Sequence, residues 1–210
     1  EIMTTETLTM PIYMDYSSTT PVDPRVAEKM IPFITESYGN PASRSHPFGW
    51  EAEKAVENAR QEVAKLVNAD PREIIWTSGA TESNNLAIKG AGNFYSTKGK
   101  HIISVATEHK AVPNTLKHWN SVLGIHAQVL AIPVDNNGIL DLAFIAEHIP
   151  NALMICTMAV NNETGVYQDL NAIEHTIRSR NKSVSWMVDC VQALGKQALA
   201  LSSTSIDYAP

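Results

Sequence analysis

Four short polar clusters carry residue types that anion binding and proton transfer use. Ser78-Gly79-Ala80-Thr81-Glu82 joins a glycine and hydroxyls to the start of a helical pattern. Helix N-terminal N–H groups and the Thr81 hydroxyl can hold a phosphate there, and Gly79 lets the backbone come close. Thr107-Glu108-His109 supplies an imidazole able to stack on a ring or move a proton. Asn161-Asn162-Glu163-Thr164-Gly165 offers side-chain amides to a phenolic oxygen or a carboxylate. Asp189-Cys190-Val191-Gln192 ends an apolar run on an acid. A buried acid is costly unless paired, and a cationic ring nitrogen is a fitting partner.

Each cluster alone also has an ordinary reading. The first and fourth are good helix caps. A single histidine is more often a satisfied polar residue, which is how His101 and His126 are read. An Asn-rich stretch ending in glycine is a common turn. These alternatives stay open for each cluster in isolation.

The elements around the clusters narrow the choice. Ile12–Asp15 reads as a short extended piece, and a helix is expected from Pro24, capped by Asp23, towards Ser37. Gly49 to Val67 carries apolar residues at helical spacing. Strands are then expected at Glu73–Thr77, His101–Val105, Ala127–Ile132, Ala152–Val160 and Val184–Asp189. Helices are expected at Thr81–Tyr95, Lys110–Val122, Leu140–His148 and Leu170–Arg180. Alternating strands and helices imply an α/β fold, a mostly parallel sheet with helices on both faces. Ligands in such sheets sit beyond the C-terminal strand ends, and all four clusters fall just after an apolar run. We divide the 210 residues into a tail over 1–10, an extended segment with helices over 11–70, and an α/β domain over 71–210.

Composition bounds the remaining classes. The chain is 44% hydrophobic and 18% charged, which suits a globular protein with a sizeable core. Its net charge of −6 and lack of a Lys/Arg-rich run argue against direct nucleic-acid binding. Two cysteines, Cys156 and Cys190, indicate neither a disulfide framework nor a metal site and favour a cytoplasmic setting. No apolar stretch is long enough to span a membrane, and no signal peptide is expected at the start.

Longer strings carry a resemblance. Met14-Asp15-Tyr16-Ser17-Ser18-Thr19-Thr20-Pro21, Gly39 to His46, Thr77 to Ala87, Thr107 to Val112, Val160 to Gly165 and Asp189 to Gln192 occur in this order. Together they resemble cysteine desulfurases of the NifS/IscS type, pyridoxal-phosphate (PLP) enzymes of the class V aminotransferase family. The resemblance implies the large PLP-binding domain of the aspartate aminotransferase-like fold, incomplete at its C-terminal side. It implies that Ala80 and Thr81 hold the cofactor phosphate and that His109 stacks on the ring and assists proton transfer. It implies that Asn162 lies near the phenolic oxygen and substrate, that Asp189 pairs with the ring nitrogen, and that Gln192 bonds the phenolic oxygen. The implied reaction takes sulfur from L-cysteine, leaving L-alanine and an enzyme persulfide that serves iron–sulfur cluster assembly or tRNA thiolation. The implied partners are a second copy of the chain and a sulfur acceptor or scaffold protein.

The same resemblance places the family's Schiff-base lysine beyond the strand that Ile206–Pro210 begins, and the catalytic cysteine further on. Neither Cys156 nor Cys190 matches that cysteine, and neither Lys110 nor Lys196 matches the lysine. The expectation is a piece of a longer enzyme, inactive by itself. A selenocysteine lyase or an aminotransferase of the same fold, or a non-catalytic binding or scaffold protein, are the alternatives.

Overall fold

The structure, a computed structural model, describes residues 11–94, 101–122 and 128–210. The expected tail over 1–10, Tyr95, His126 and Ala127 lie outside them. The chain forms two compact units, one ending at Glu57 and the other spanning Asn58–Pro210.

The first unit holds helix α1 (Pro24–Thr35) and the start of α2 (Pro47–Val67). Asp23 caps α1 by accepting the Arg25 N–H at 2.8 Å, and Pro24 takes the first-turn position that needs no donor. The Arg25 guanidinium also bonds the Asp23 carboxylate and holds its pKa below the usual value. Ile12–Asp15, expected to be extended, joins no ladder. None of the α1 residues is buried, and Val26, Met30, Phe33 and Ile34 are exposed.

The second unit is a parallel sheet. Its strands are β1 (His101–Val105), β2 (Gln128–Ile132), β3 (Ala152–Met158) and β4 (Ser185–Asp189), in the order β2-β1-β3-β4. All three pairings are parallel. Helices α3 (Ala80–Phe94) and α4 (Ala111–Val122) cover one face; α5 (Leu142–His148) and α6 (Leu170–Arg178) cover the other. On the α3/α4 side, Ile88, Ile102, Leu116, Trp119, Met154 and Met187 pack together. On the α5/α6 side, Ile103, Ile145, Ile155, Ile173, Trp186 and Val188 do so. Burial on both faces explains why β3 and β4 read as unbroken apolar runs rather than alternating ones.

The indole N–H groups inside this core are paired. The Trp186 indole N–H donates to Thr157 Oγ1 at 2.9 Å and that of Trp119 to Asn93 Oδ1 at 3.0 Å. His101 shares a 2.8 Å hydrogen bond with the His148 carbonyl, in line with its reading as a satisfied polar residue. Asp141 and Asp169 cap α5 and α6.

One expected strand does not form. Pro71–Glu73 is a 3-10 turn, and Ile74–Thr77 belongs to no ladder, with Ile75 64% and Trp76 47% exposed. A β-run needs a sheet edge to pair with, and the nearby edge of β4 is taken. Tyr208 pairs in parallel with Met187, and Val188 and Cys190 donate their N–H groups to the Tyr208 and Pro210 carbonyls at 2.9 and 2.8 Å. Ile206–Pro210 therefore runs beside β4, as an isolated bridge rather than a strand. Arg178 clamps this segment through Ser205 Oγ, the Ser205 carbonyl and Asp207. Arg60 instead bonds the Ile74 carbonyl and lies over the Trp76 ring, 5.6 Å from its centroid.

The contact between α3 and α4 depends on a missing side chain. A Cβ on Gly92 would stand 2.6 Å from Trp119 Cζ2. Gly92→Ala is expected to lower the unfolding free energy by about 1–3 kcal/mol through overpacking, read by denaturant titration of Trp fluorescence.

Candidate functional site

The sheet order sets the place of the site. β2 lies on one side of β1 and β3 on the other, so successive connections leave β1 in opposite directions. Such a switch point opens a crevice at the C-terminal strand ends. The Thr107–His109 loop follows β1 and the Asn161–Gly165 loop follows β3, one on each side of that crevice. Asn161 Nδ2 donates to the Thr107 carbonyl at 3.0 Å and ties the two loops together.

The Asn161 loop is itself an Asx turn. Asn161 Oδ1 accepts from the Glu163 and Thr164 N–H groups, each at 2.9 Å, and Gly165 takes φ +71°. The turn reading is thus met. Asn162, the amide expected to serve, donates to Glu163 Oε1 at 2.9 Å.

On the other side of β3, β4 ends in Asp189, which is 3% exposed. Asp189 Oδ1 accepts from the Val191 N–H and Oδ2 from Asn84 Nδ2, both at 3.1 Å. Asn84 is fully buried on α3, five residues from Gly79, and so ties the start of that helix to the end of β4. No salt bridge joins Asp189 to a cation among the described residues, and no cluster of His, Cys, Asp or Glu among them could hold a metal ion.

The start of α3 matches the first cluster. Gly79 has φ +157°, a conformation that side-chain-bearing residues rarely adopt, and it turns the chain into the helix. Glu82 Oε2 accepts the Ser78 N–H at 2.8 Å, which holds its carboxyl pKa below the usual value together with the Ser78 hydroxyl. Helix geometry leaves the first N–H groups of α3 without intrahelical acceptors. Thr81 and His109 line one groove of 350 Å³, which Asn85, Lys89 and Asn114 also border. His109 Nδ1 accepts the Ala111 N–H at 3.3 Å, so a neutral ring carries its proton on Nε2. Ala80 instead lines a cavity of 990 Å³ together with Gly79, Cys190 and Val191.

The predicted residues do not form one contact set. Thr81 and His109 share a groove, and Ala80 shares a cavity with the two residues after Asp189. Asn162 and Gln192 border neither; Gln192 Oε1 accepts from Lys196 Nζ at 2.6 Å, within the turn after Cys190. Two residues that sequence reasoning passed over matter more. Asn84 holds Asp189, and Glu108 buries a carboxyl group nearby. A polar residue on the buried face of an apolar helix was the legible sign of Asn84.

Neither cysteine is a nucleophile as placed. Cys156 is fully buried, and burial, then Glu108, raise its thiol well above the ordinary range. Burial, then Asp189, push Cys190 up to about 12. Both thiols are expected to resist a maleimide in the native protein and to react once it is denatured, as mass spectrometry will show. Asn84→Ala removes a donor from a buried carboxylate and is expected to destabilise by about 1.5–3 kcal/mol, measured by chemical denaturation.

Comparison with known proteins follows this geometry. The model of the aminotransferase class-V family matches residues 12–209. The cysteine desulfurase IscS of Methylobacillus flagellatus is 60% identical over 203 residues, covering 96% of this chain and 49% of that protein. The IscS of Methylococcus capsulatus is 58% identical over 199 residues, 94% of this chain and 48% of that protein. Among solved structures, a NifS-like protein superposes with a TM-score of 0.88 at 38% identity, covering 94% of this chain and 53% of its own. SspA in complex with cysteine gives 0.85 at 32% identity, covering 94% and 55%. The chain spans about half the length of the curated relatives it matches. By the family model that spans it, the chain belongs to the aminotransferase class-V family.

Proposed function

We propose that this chain forms the cofactor-binding part of a PLP-dependent cysteine desulfurase. The observation that carries the reading is Asp189: a buried carboxylate at a strand end, oriented by two donors and matched by no cation among the described residues. A cationic ring nitrogen is the partner such a group suits. The residues present fit the cofactor in two further respects. The start of α3 suits a phosphate, and His109 stands on the same groove as Thr81.

PLP, when bound, supplies an electron-withdrawing ring that weakens the bonds of an amino acid attached to it. Asp189 would keep the ring nitrogen protonated. Ala80 and Thr81 would hold the phosphate through backbone N–H groups and the Thr81 hydroxyl. His109, with Nδ1 engaged at Ala111, would stack on the ring and use Nε2 to move a proton. Asn162 would lie near the phenolic oxygen and the substrate, and Gln192 would bond the phenolic oxygen through its amide N–H, which the Lys196 contact at Oε1 does not use. L-Cysteine is the substrate, L-alanine the product, and a thiolate outside this chain's two buried cysteines takes the sulfur. A second copy of the chain and a sulfur acceptor or scaffold protein are its partners. Its setting is cytoplasmic, and the sulfur serves iron–sulfur clusters or tRNA. The names of the IscS relatives and of the cysteine-bound SspA support the reading.

The test has two parts. The purified protein titrated with PLP should develop the absorbance of bound cofactor, with affinity reduced about tenfold or more in Asp189→Asn, since a bonded charge is worth about 1.5–3 kcal/mol. The complete gene product should release sulfide from L-cysteine under reducing conditions. Selenide from selenocysteine alone, or keto acid from amino-acid/keto-acid pairs, would replace the reading with a lyase or an aminotransferase. Failure of the complete product to bind PLP would leave a scaffold.

A further inference from the structure

Hydrogen-bond donors are shared unequally between two acids near the end of the sheet. Asp189 has two, Asn84 Nδ2 and the Val191 N–H. Glu108 turns back from the end of β1, its N–H donating to the Val105 carbonyl at 3.4 Å. Both oxygens of its carboxyl group are buried, and neither has a hydrogen-bond partner among the described residues. Three other buried polar atoms among the described residues are also orphaned, Asn84 Oδ1, Ser104 Oγ and Asn120 Oδ1. Strand register sets Ser104 beside Cys156 and Cys156 beside Met187, with Asp189 two residues further along β4 on the same face. Glu108 is within electrostatic reach of both Asp189 and Cys156.

Two acids in one low-dielectric pocket do not both ionise, and the proton stays with the acid that has fewer donors. We propose that Glu108 is a positioning residue held neutral at physiological pH, so that Asp189 is the single anion of the strand-end pocket. Asn84 spends its amide hydrogen on Asp189 and none on Glu108. An ionised Glu108 would leave a buried charge without a donor and would compete with Asp189 for any cation.

The surroundings agree. Burial, then the Asp189 charge, push Glu108 up to about 8. β4 contributes Asp189 and β3 contributes Cys156, whose thiol is neutral. α3 brings the uncharged Asn84, β1 the uncharged Ser104, and the neighbouring His109 turns its Nδ1 to Ala111. Among the described residues, no cation acts on Glu108.

The functional use of this device rests on the reading of Asp189 as the cofactor's partner; the protonation state does not. Infrared spectra of the purified, cofactor-free protein at neutral pH should show a protonated-carboxyl C=O band. That band should persist in Asp189→Asn and vanish in Glu108→Gln and in Glu108→Met, the second variant guarding against a folding defect in the first. Linkage supplies a second readout. The folded state holds a proton on Glu108 that the unfolded chain, with a pKa of about 4.3, releases earlier. Stability should therefore fall as pH rises from about 4.3 to about 8, and Glu108→Gln should lose that component of the Tm profile. Absence of the band, or a band lost in Asp189→Asn but kept in Glu108→Gln, overturns the proposal. A parallel PLP titration separates the two readings. PLP binding without the band refutes the neutral Glu108 alone, whereas the band without PLP binding supports it and refutes Asp189 as cofactor partner.

Discussion

A carboxylate buried at the end of β4 is the constraint around which this chain is arranged. Asp189 has left water, so the fold must supply donors in fixed places. It does so from two elements: the backbone at Val191, which requires the chain to turn sharply after the strand, and Asn84, which requires α3 to lie across the strand ends. The position of α3 then places Gly79, Ala80 and Thr81 at the same rim. One buried acid thereby couples the packing of a helix to the geometry of a binding site.

The sheet order supplies the other half of the arrangement. A switch point between β1 and β3 separates their following loops and leaves a crevice, and a single bond from Asn161 to the Thr107 carbonyl spans it. His109 sits on the β1 side of this link, with one ring nitrogen committed to the start of α4. The site therefore draws on three strand ends and two helix starts. The two apolar layers under it, anchored by Trp119 and Trp186, hold those ends in register. Both cysteines belong to those layers and are chemically quiet there.

Sequence alone determined the alternation of elements, because the periodicity of apolar residues reports which faces are buried. β1 has the expected bounds, and the described helices and strands of the second unit differ from expectation by one or two residues at their ends. Asp23, Gly79 and Asp189 were recognisable as cap, turn and buried acid from their local settings. Strand status at Glu73–Thr77 was not recognisable. Its apolar residues look like a strand, but pairing depends on a free edge, and Ile206–Pro210 occupies the one on β4. The roles of Asn84, Asn161 and Glu108 were also beyond local reading. What each does is set by a partner 105, 54 or about 80 residues away, and only tertiary structure brings those partners within hydrogen-bonding or electrostatic range.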